Sequence, residues 1–290
     1  MPSLVELERF SEANLKAWMQ AGTKLQALYA AFYFELEPKR QKDGQRLLDA
    51  LRSRATQDFL FENWSRVVDY RYSDDPLSMA GSIRGIGGRF NLGEEISPGT
   101  ITSFPALYLA EDAETAYRER FGAPTNPTSG LAGTELALRS NTSFAQVQIR
   151  GQLDFILDVG DLGALQPFVD VIRGYEVPKT VRLAARSLAM RRPPWMIRSA
   201  TMLQRQLLHV DWRAWPMQFS VPSNSQVFGR LASAAGLHGV LYPSTKNAGK
   251  RCLVLFPKNW IGSGSFIELA DLAPASVSRT RVDGGKISAH

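Results

Sequence analysis

The chain has 290 residues with 34 Lys or Arg against 28 Asp or Glu, a formal charge of +6, and 44% hydrophobic against 21% charged residues. This balance excludes a disordered chain, and no run approaches the ~20 apolar residues that span a bilayer, so a soluble protein with a full core is expected. One cysteine and three histidines (His209, His238, His290) exclude a disulfide framework and a Cys/His zinc cluster, so no metal is expected.

Residues 3–36 place Leu4, Leu7, Leu15, Trp18, Leu25, Leu28 and Tyr29 at three- and four-residue spacing, which predicts an amphipathic helix that breaks near Pro38. A second helical pattern runs over 43–60 through Leu47, Leu48 and Leu51 to Phe59 and Leu60. Residues 1–63 thus read as an N-terminal helical extension, a packing or partner-binding surface. The opening MPSLVELERF carries acids where a secretion signal would carry bases, so a cytoplasmic protein is expected.

From Trp64 the texture changes to short β-like runs at 67–72, 106–110, 144–150, 155–159, 239–242 and 253–256. Helical stretches at 112–120, 181–190, 197–208 and 226–235 intervene without strict alternation. The expected fold class is therefore α+β, a mixed sheet with surrounding helices rather than a doubly wound one. Residues 64–274 form the expected main domain, 122–143 a long connection and 275–290 a flexible tail. The sequon at 141–143 reads as accidental.

The pI near 9.5 favours a polyanionic partner: nucleic acid, an anionic membrane or a phosphate-rich small molecule. Much of the charge comes from seven bases between Glu176 and Asp211 (Lys179, Arg182, Arg186, Arg191, Arg192, Arg198, Arg205), a stretch without a carboxylate. Only Trp195 interrupts it, so the interleaved aromatics of a nucleic-acid face are lacking and a solvated or partner-facing surface is the better reading.

Three segments can carry chemistry. Residues 85–91 (GIGGRFN) fail as a dinucleotide fingerprint, with Phe90 where a third glycine belongs, and as a P-loop, with no Gly-Lys-Ser/Thr. What remains is a glycine bend delivering Arg89, with Arg84 close behind, which reads equally as a pyrophosphate grip and as a plain turn. A strand 104–110 then carries Tyr108 opposite Leu107 and Leu109, and a helix starting at Glu111-Asp112 projects Glu119 from the face of Thr115 and Ala116. The third segment, 236–247, ends a strand at Pro243 with Ser244 at its mouth. No Gly-x-Ser-x-Gly elbow surrounds Ser244, and His238 as its base or as partner of Cys252 has no support beyond proximity in sequence.

In order and spelling these segments resemble the RES domain family, named for its Arg, Glu and Ser residues and known mainly as the toxin half of bacterial toxin–antitoxin pairs. The resemblance rests on the Gly-Gly-Arg-aromatic-Asn turn at 87–91, the Leu-Tyr-Leu-Ala strand, a glutamate eleven residues after the tyrosine, and a hydrophobic-Pro-Ser turn before the 253–256 strand. It covers roughly residues 64–260. The separation of Arg89 from Tyr108 is wider than in typical members, so 94–103 looks like an inserted loop, and the helical lead-in is longer than in compact toxins.

The resemblance implies an ADP-ribosyltransferase-like fold and a catalytic domain that consumes NAD+ by cleaving the nicotinamide–ribose bond. It assigns Arg89 to phosphate or nicotinamide-ribose oxygens, Tyr108 to the nicotinamide side, Glu119 to the ribose hydroxyl and the developing cation, and Ser244 to completing the pocket. Arg84, Gly88, Asn91, Lys246 and Asn247 are further binding candidates. Water as acceptor makes an NAD+ glycohydrolase, phosphate an NAD+ phosphorylase and a protein side chain an ADP-ribosyltransferase. An antitoxin or immunity protein is the implied partner, the latter for an effector secreted into a target cell. The competing reading is a non-enzymatic basic protein that binds nucleic acid or a partner.

Overall fold

The structure is a computed structural model, and it describes residues 11–122 and 143–285. The start of the first predicted helix, the 122–143 connection with its sequon and His290 lie outside the described residues, in whole or nearly so.

The α+β expectation holds. The chain runs α1 (Glu12–Glu35), α2 (Glu37–Lys42), α3 (Gly44–Arg52), β1 (Phe59–Asp69), β2 (Leu107–Ala110), α4 (Ala113–Phe121), β3 (Phe144–Leu153) and β4 (Ile156–Asp158). It continues through α5 (Leu162–Ile172), α6 (Lys179–Ser187), α7 (Ala200–Leu207), α8 (Ala214–Phe219), α9 (Asn224–Ala234), β5 (Gly239–Pro243), β6 (Arg251–Leu255), β7 (Phe266–Leu269) and β8 (Arg281–Asp283). The strands form one sheet in the order β4-β5-β6-β2-β1-β3-β7-β8, antiparallel except for the parallel pair β4 and β5.

Alternation along the strands builds two cores, because successive side chains point to opposite faces. Leu107 and Leu109 of β2 join Leu253 and Leu255 of β6, Phe61, Trp64 and Trp260 on one face. On the other, Ala110, Cys252 and Val254 meet Leu47 and Leu51 of α3, Phe168 of α5, Leu207 of α7 and Phe228 of α9, with Tyr108 packed against them.

Three expectations are corrected. The second helix stops at Arg52, and Phe59 and Leu60 belong to β1; β-branched and aromatic residues paired to β3 override the helical spacing there. A division at 63/64 falls inside that strand, at a bulge where Asn63 adopts positive φ and the register against β3 shifts between Phe61 and Trp64. Leu47 and Leu51 of α3 are buried in the main core, so α3 packs with residues of 64–274. Finally, residues 281–283 of the expected tail form β8, which pairs with β7 and buries Val282. Helices α5 and α8 were not predicted; Pro167 and Pro216 inside them mask the helical signal.

Helix α1 leans on α6 through Leu28, Val181 and Ala185 and on α8, where Tyr29 stacks on Phe219 at 4.2 Å. Its first half is exposed, with Trp18 77% accessible. Among the described residues, no helix is long and apolar enough to cross a membrane.

Candidate active site

The 85–91 turn is shaped by its glycines. Gly87 has a φ of +81°, and a Cβ on Gly88 would lie 2.4 Å from the Tyr108 hydroxyl and 2.6 Å from Asn91 Oδ1. Asn91 is fully buried and spends its whole amide on structure. Its Oδ1 accepts from the Gly88 N–H (2.9 Å) and the Tyr108 hydroxyl (2.8 Å), while Nδ2 donates to the carbonyls of Ser82 and Phe104. The Tyr108 hydroxyl also accepts from the Phe90 N–H at 3.0 Å. Burial pushes this phenol well above its ordinary value, so it stays protonated and keeps donating.

A second clamp closes the turn from α9. The Gln226 amide donates to the carbonyls of Ile86 (2.8 Å), Gly88 (3.1 Å) and Asn91 (3.2 Å), and its Oε1 accepts from the Ser223 N–H. Ser223 and Gln226 form the capping box of α9, so one local motif both starts that helix and braces the turn.

Arg89 is directed into a buried corner. Its Nη1 donates to the carbonyls of Leu207 (3.2 Å) and His209 (2.8 Å), and Nη2 to Thr245 Oγ1 at 3.1 Å. The guanidinium lies 5.9 Å from the ring of buried Trp212, and that of Arg213 lies 4.7 Å from the same ring.

Glu119 reaches the site because Asp112 caps α4, accepting from the Thr115 N–H at 2.7 Å. Ser244 Oγ donates to Glu119 Oε1 at 2.7 Å and accepts from the N–H groups of Lys246 (3.2 Å) and Asn247 (3.0 Å). Lys246 Nζ donates to the Glu119 carbonyl at 2.9 Å, and Asn247 Nδ2 to Thr115 Oγ1 at 2.7 Å. The turn after β5 is thereby tied to α4 at three points around one carboxylate.

These groups surround a cleft of about 490 Å³, within the range of small-molecule sites. Arg84, Gly88, Arg89, Tyr108, Glu119 and Lys246 line it; Ser244, Asn91 and Asn247 do not. In this structure Ser244 holds Glu119, Asn91 the turn and Asn247 helix α4. Among the described residues, cations outnumber carboxylates in the lining, where the carboxylates are Asp69 and Glu119. Asp69 is itself held by Arg120 and Arg71.

Sequence reasoning missed Arg66, Trp212, Arg213 and Thr245 in this lining and Gln226 behind it. Arg66 donates to the carbonyls of Tyr108 (3.4 Å) and Ser78 (2.8 Å); burial pulls it down to about 10, still charged at neutral pH. The Ser-x-x-Gln spelling at 223–226 was a usable signal for Gln226, whereas nothing local marks Trp212 or Arg213.

His238 does not meet Ser244 or Cys252. Its Nδ1 lies 2.6 Å from Ser265 Oγ, buried at the other side of the sheet's end, and burial lowers its pKa. Burial also pushes the Cys252 thiol far up, which disfavours a thiolate nucleophile. Among the described residues, no group of His, Cys, Asp and Glu could hold a metal ion.

The family model for the RES domain matches residues 63–262. No curated protein matches the chain. Among solved structures, a chain of the crystal structure of the M. tuberculosis MbcT-MbcA toxin-antitoxin complex is similar at 18% identity, covering 82% of this chain and 91% of that one, with a TM-score of 0.40.

Proposed function

The chain belongs to the RES domain family, and from that premise we propose that it degrades NAD+ by breaking the bond between nicotinamide and ribose, with water or inorganic phosphate capturing the ADP-ribosyl group. The observation that carries this reading is the Glu119 carboxylate, held by Ser244 at 2.7 Å in a cleft whose lining is rich in arginine.

The chemistry asks for that arrangement. As nicotinamide departs with the bonding electrons, positive charge grows on the ribose ring, and a fixed carboxylate beside it stabilises the transition state more than the ground state. Ser244 occupies Oε1. Oε2 makes no hydrogen bond among the described residues, which leaves it for a ribose hydroxyl. The arginine-rich wall suits the two negative charges of a pyrophosphate. The Tyr108 hydroxyl is committed to Asn91 and the Phe90 N–H, so its contribution to the nicotinamide side is the ring. Depletion of NAD+ would make the protein a toxin acting in a cytoplasm, restrained by an antitoxin or immunity protein.

Incubation of the purified chain with NAD+, with and without phosphate, followed by mass analysis tests this. Free nicotinamide with ADP-ribose indicates hydrolysis, phosphorylated ADP-ribose indicates phosphorolysis, and an ADP-ribose increment on protein indicates transfer to a side chain. Intact NAD+ under every condition refutes the reading.

A further inference from the structure

The two arginines beside the Trp212 indole differ in what else they hold. Arg89 commits three of its five N–H donors to two carbonyls and the Thr245 hydroxyl. Arg213, which lines the same cleft, makes no hydrogen bond or ion pair among the described residues and rests only on the indole face. Of the other cations in the lining, Arg71 and Arg120 hold Asp69, Arg66 two carbonyls and Lys246 the Glu119 carbonyl, while Arg84 lies over the Tyr72 ring at 5.6 Å, away from the indole.

Arg213 is thus a cation facing another cation. Partial burial and the charge of Arg89 both pull its pKa down, against the opposing pull of Glu119. A guanidinium in that position gains from an anion that can accept its planar, bidentate fork, as phosphate does. Arg89, with both Nη1 donors and one Nη2 donor engaged, has fewer left for the role its sequence motif suggests.

We propose that Arg213 is the anion subsite of the cleft and binds a phosphate group. The proposal rests on the NAD+ reading for the source of that phosphate, which is either the pyrophosphate of the dinucleotide or free inorganic phosphate entering as acceptor.

Steady-state turnover by the full chain and its Arg213→Ala and Arg213→Lys variants, with and without inorganic phosphate, tests it, with nicotinamide riboside as a phosphate-free substrate. If the dinucleotide supplies the anion, Arg213→Ala raises KM for NAD+ by about 10- to 100-fold, as loss of a charge-assisted hydrogen bond does. In that case kcat and nicotinamide riboside turnover hold, and Lys restores part of the loss. If free phosphate is the anion, KM for NAD+ holds and acceleration by phosphate disappears. Unchanged dependence on both NAD+ and phosphate overturns the proposal. Should the wild type leave NAD+ intact, the functional reading fails, and calorimetric titration with inorganic pyrophosphate decides the subsite alone. Binding weakened at least about tenfold in Arg213→Ala supports it, and no binding to wild type, or equal binding to both, overturns it. Should Arg213→Ala not fold, Arg213→Gln carries the same comparisons.

Discussion

Ser244 reaches Glu119 across 125 residues of chain and donates to Oε1 at 2.7 Å, while its own oxygen accepts two N–H groups of the following turn. The hydroxyl therefore fixes one carboxylate oxygen of Glu119. Ser244→Ala should lower kcat for NAD+ cleavage about 10- to 100-fold, the worth of one hydrogen bond to a charged group, with KM nearly unchanged. Ser244→Thr should recover most of the rate. Equal kcat in Ser244→Ala and wild type would show that Glu119 needs no such support.

Glu119→Gln tests charge apart from shape. The amide oxygen can still accept from Ser244, so thermal melting should stay within a few degrees of wild type. Cleavage should fall about 10²- to 10³-fold, because the transition state loses its counter-charge. A variant within threefold of wild-type rate would remove Glu119 from the mechanism.

Gln226→Glu should be worse tolerated than its size suggests. It sets a carboxylate oxygen against the carbonyls of Ile86, Gly88 and Asn91, where an N–H group now donates to all three. A loss of about 2 kcal/mol or more in denaturant unfolding is expected, from a broken buried hydrogen bond and an unpaired acceptor. Gly88→Ala should cost about 1–3 kcal/mol by forcing its Cβ into Tyr108 and Asn91.

Acid should loosen the fold from its surface pairs. Hydrogen bonding and charge from Arg251 lower the pKa of Glu111, and those from Arg281 and Arg150 lower that of Glu268, against a weaker opposing effect of burial. Because the folded values lie below the unfolded value of 4.5, these carboxylates contribute stability that is present above about pH 4.5 and is lost as pH falls through their folded values. Melting temperature should be flat between pH 5 and pH 7 from these groups and drop below about pH 4. The double variant Glu111→Gln, Glu268→Gln should flatten that drop.

The legible parts of this protein were those with local causes. Alternation wrote β2 and β6, capping acids wrote the start of α4, and the 85–91 spelling marked a turn that does deliver an arginine. The sequence could not show where that arginine ends, because Leu207, His209 and Thr245 come from distant segments. For the same reason the partners of Asn91, Asn247 and Ser244, which come from distant segments, could not be read from the motif, and Arg213 carries no local mark. The helical reading of 43–60 failed at its end, where Phe59 and Leu60 continued a helical spacing but had a strand to pair with in β3.

Strand β8 (Arg281–Asp283) finishes the sheet shortly after the short β7 (Phe266–Leu269), from a stretch that composition alone would discard as tail. It shields the outer edge of β7 by backbone pairing from Glu268 to Phe266. A chain cut at 274 would uncover that row of amides and carbonyls together with the apolar surface beneath Val282, offering a template on which further copies could add strand to strand. Preparations cut at 274 should therefore precipitate more readily than the intact chain, and tags are better carried at the N-terminus, where the first half of α1 is exposed.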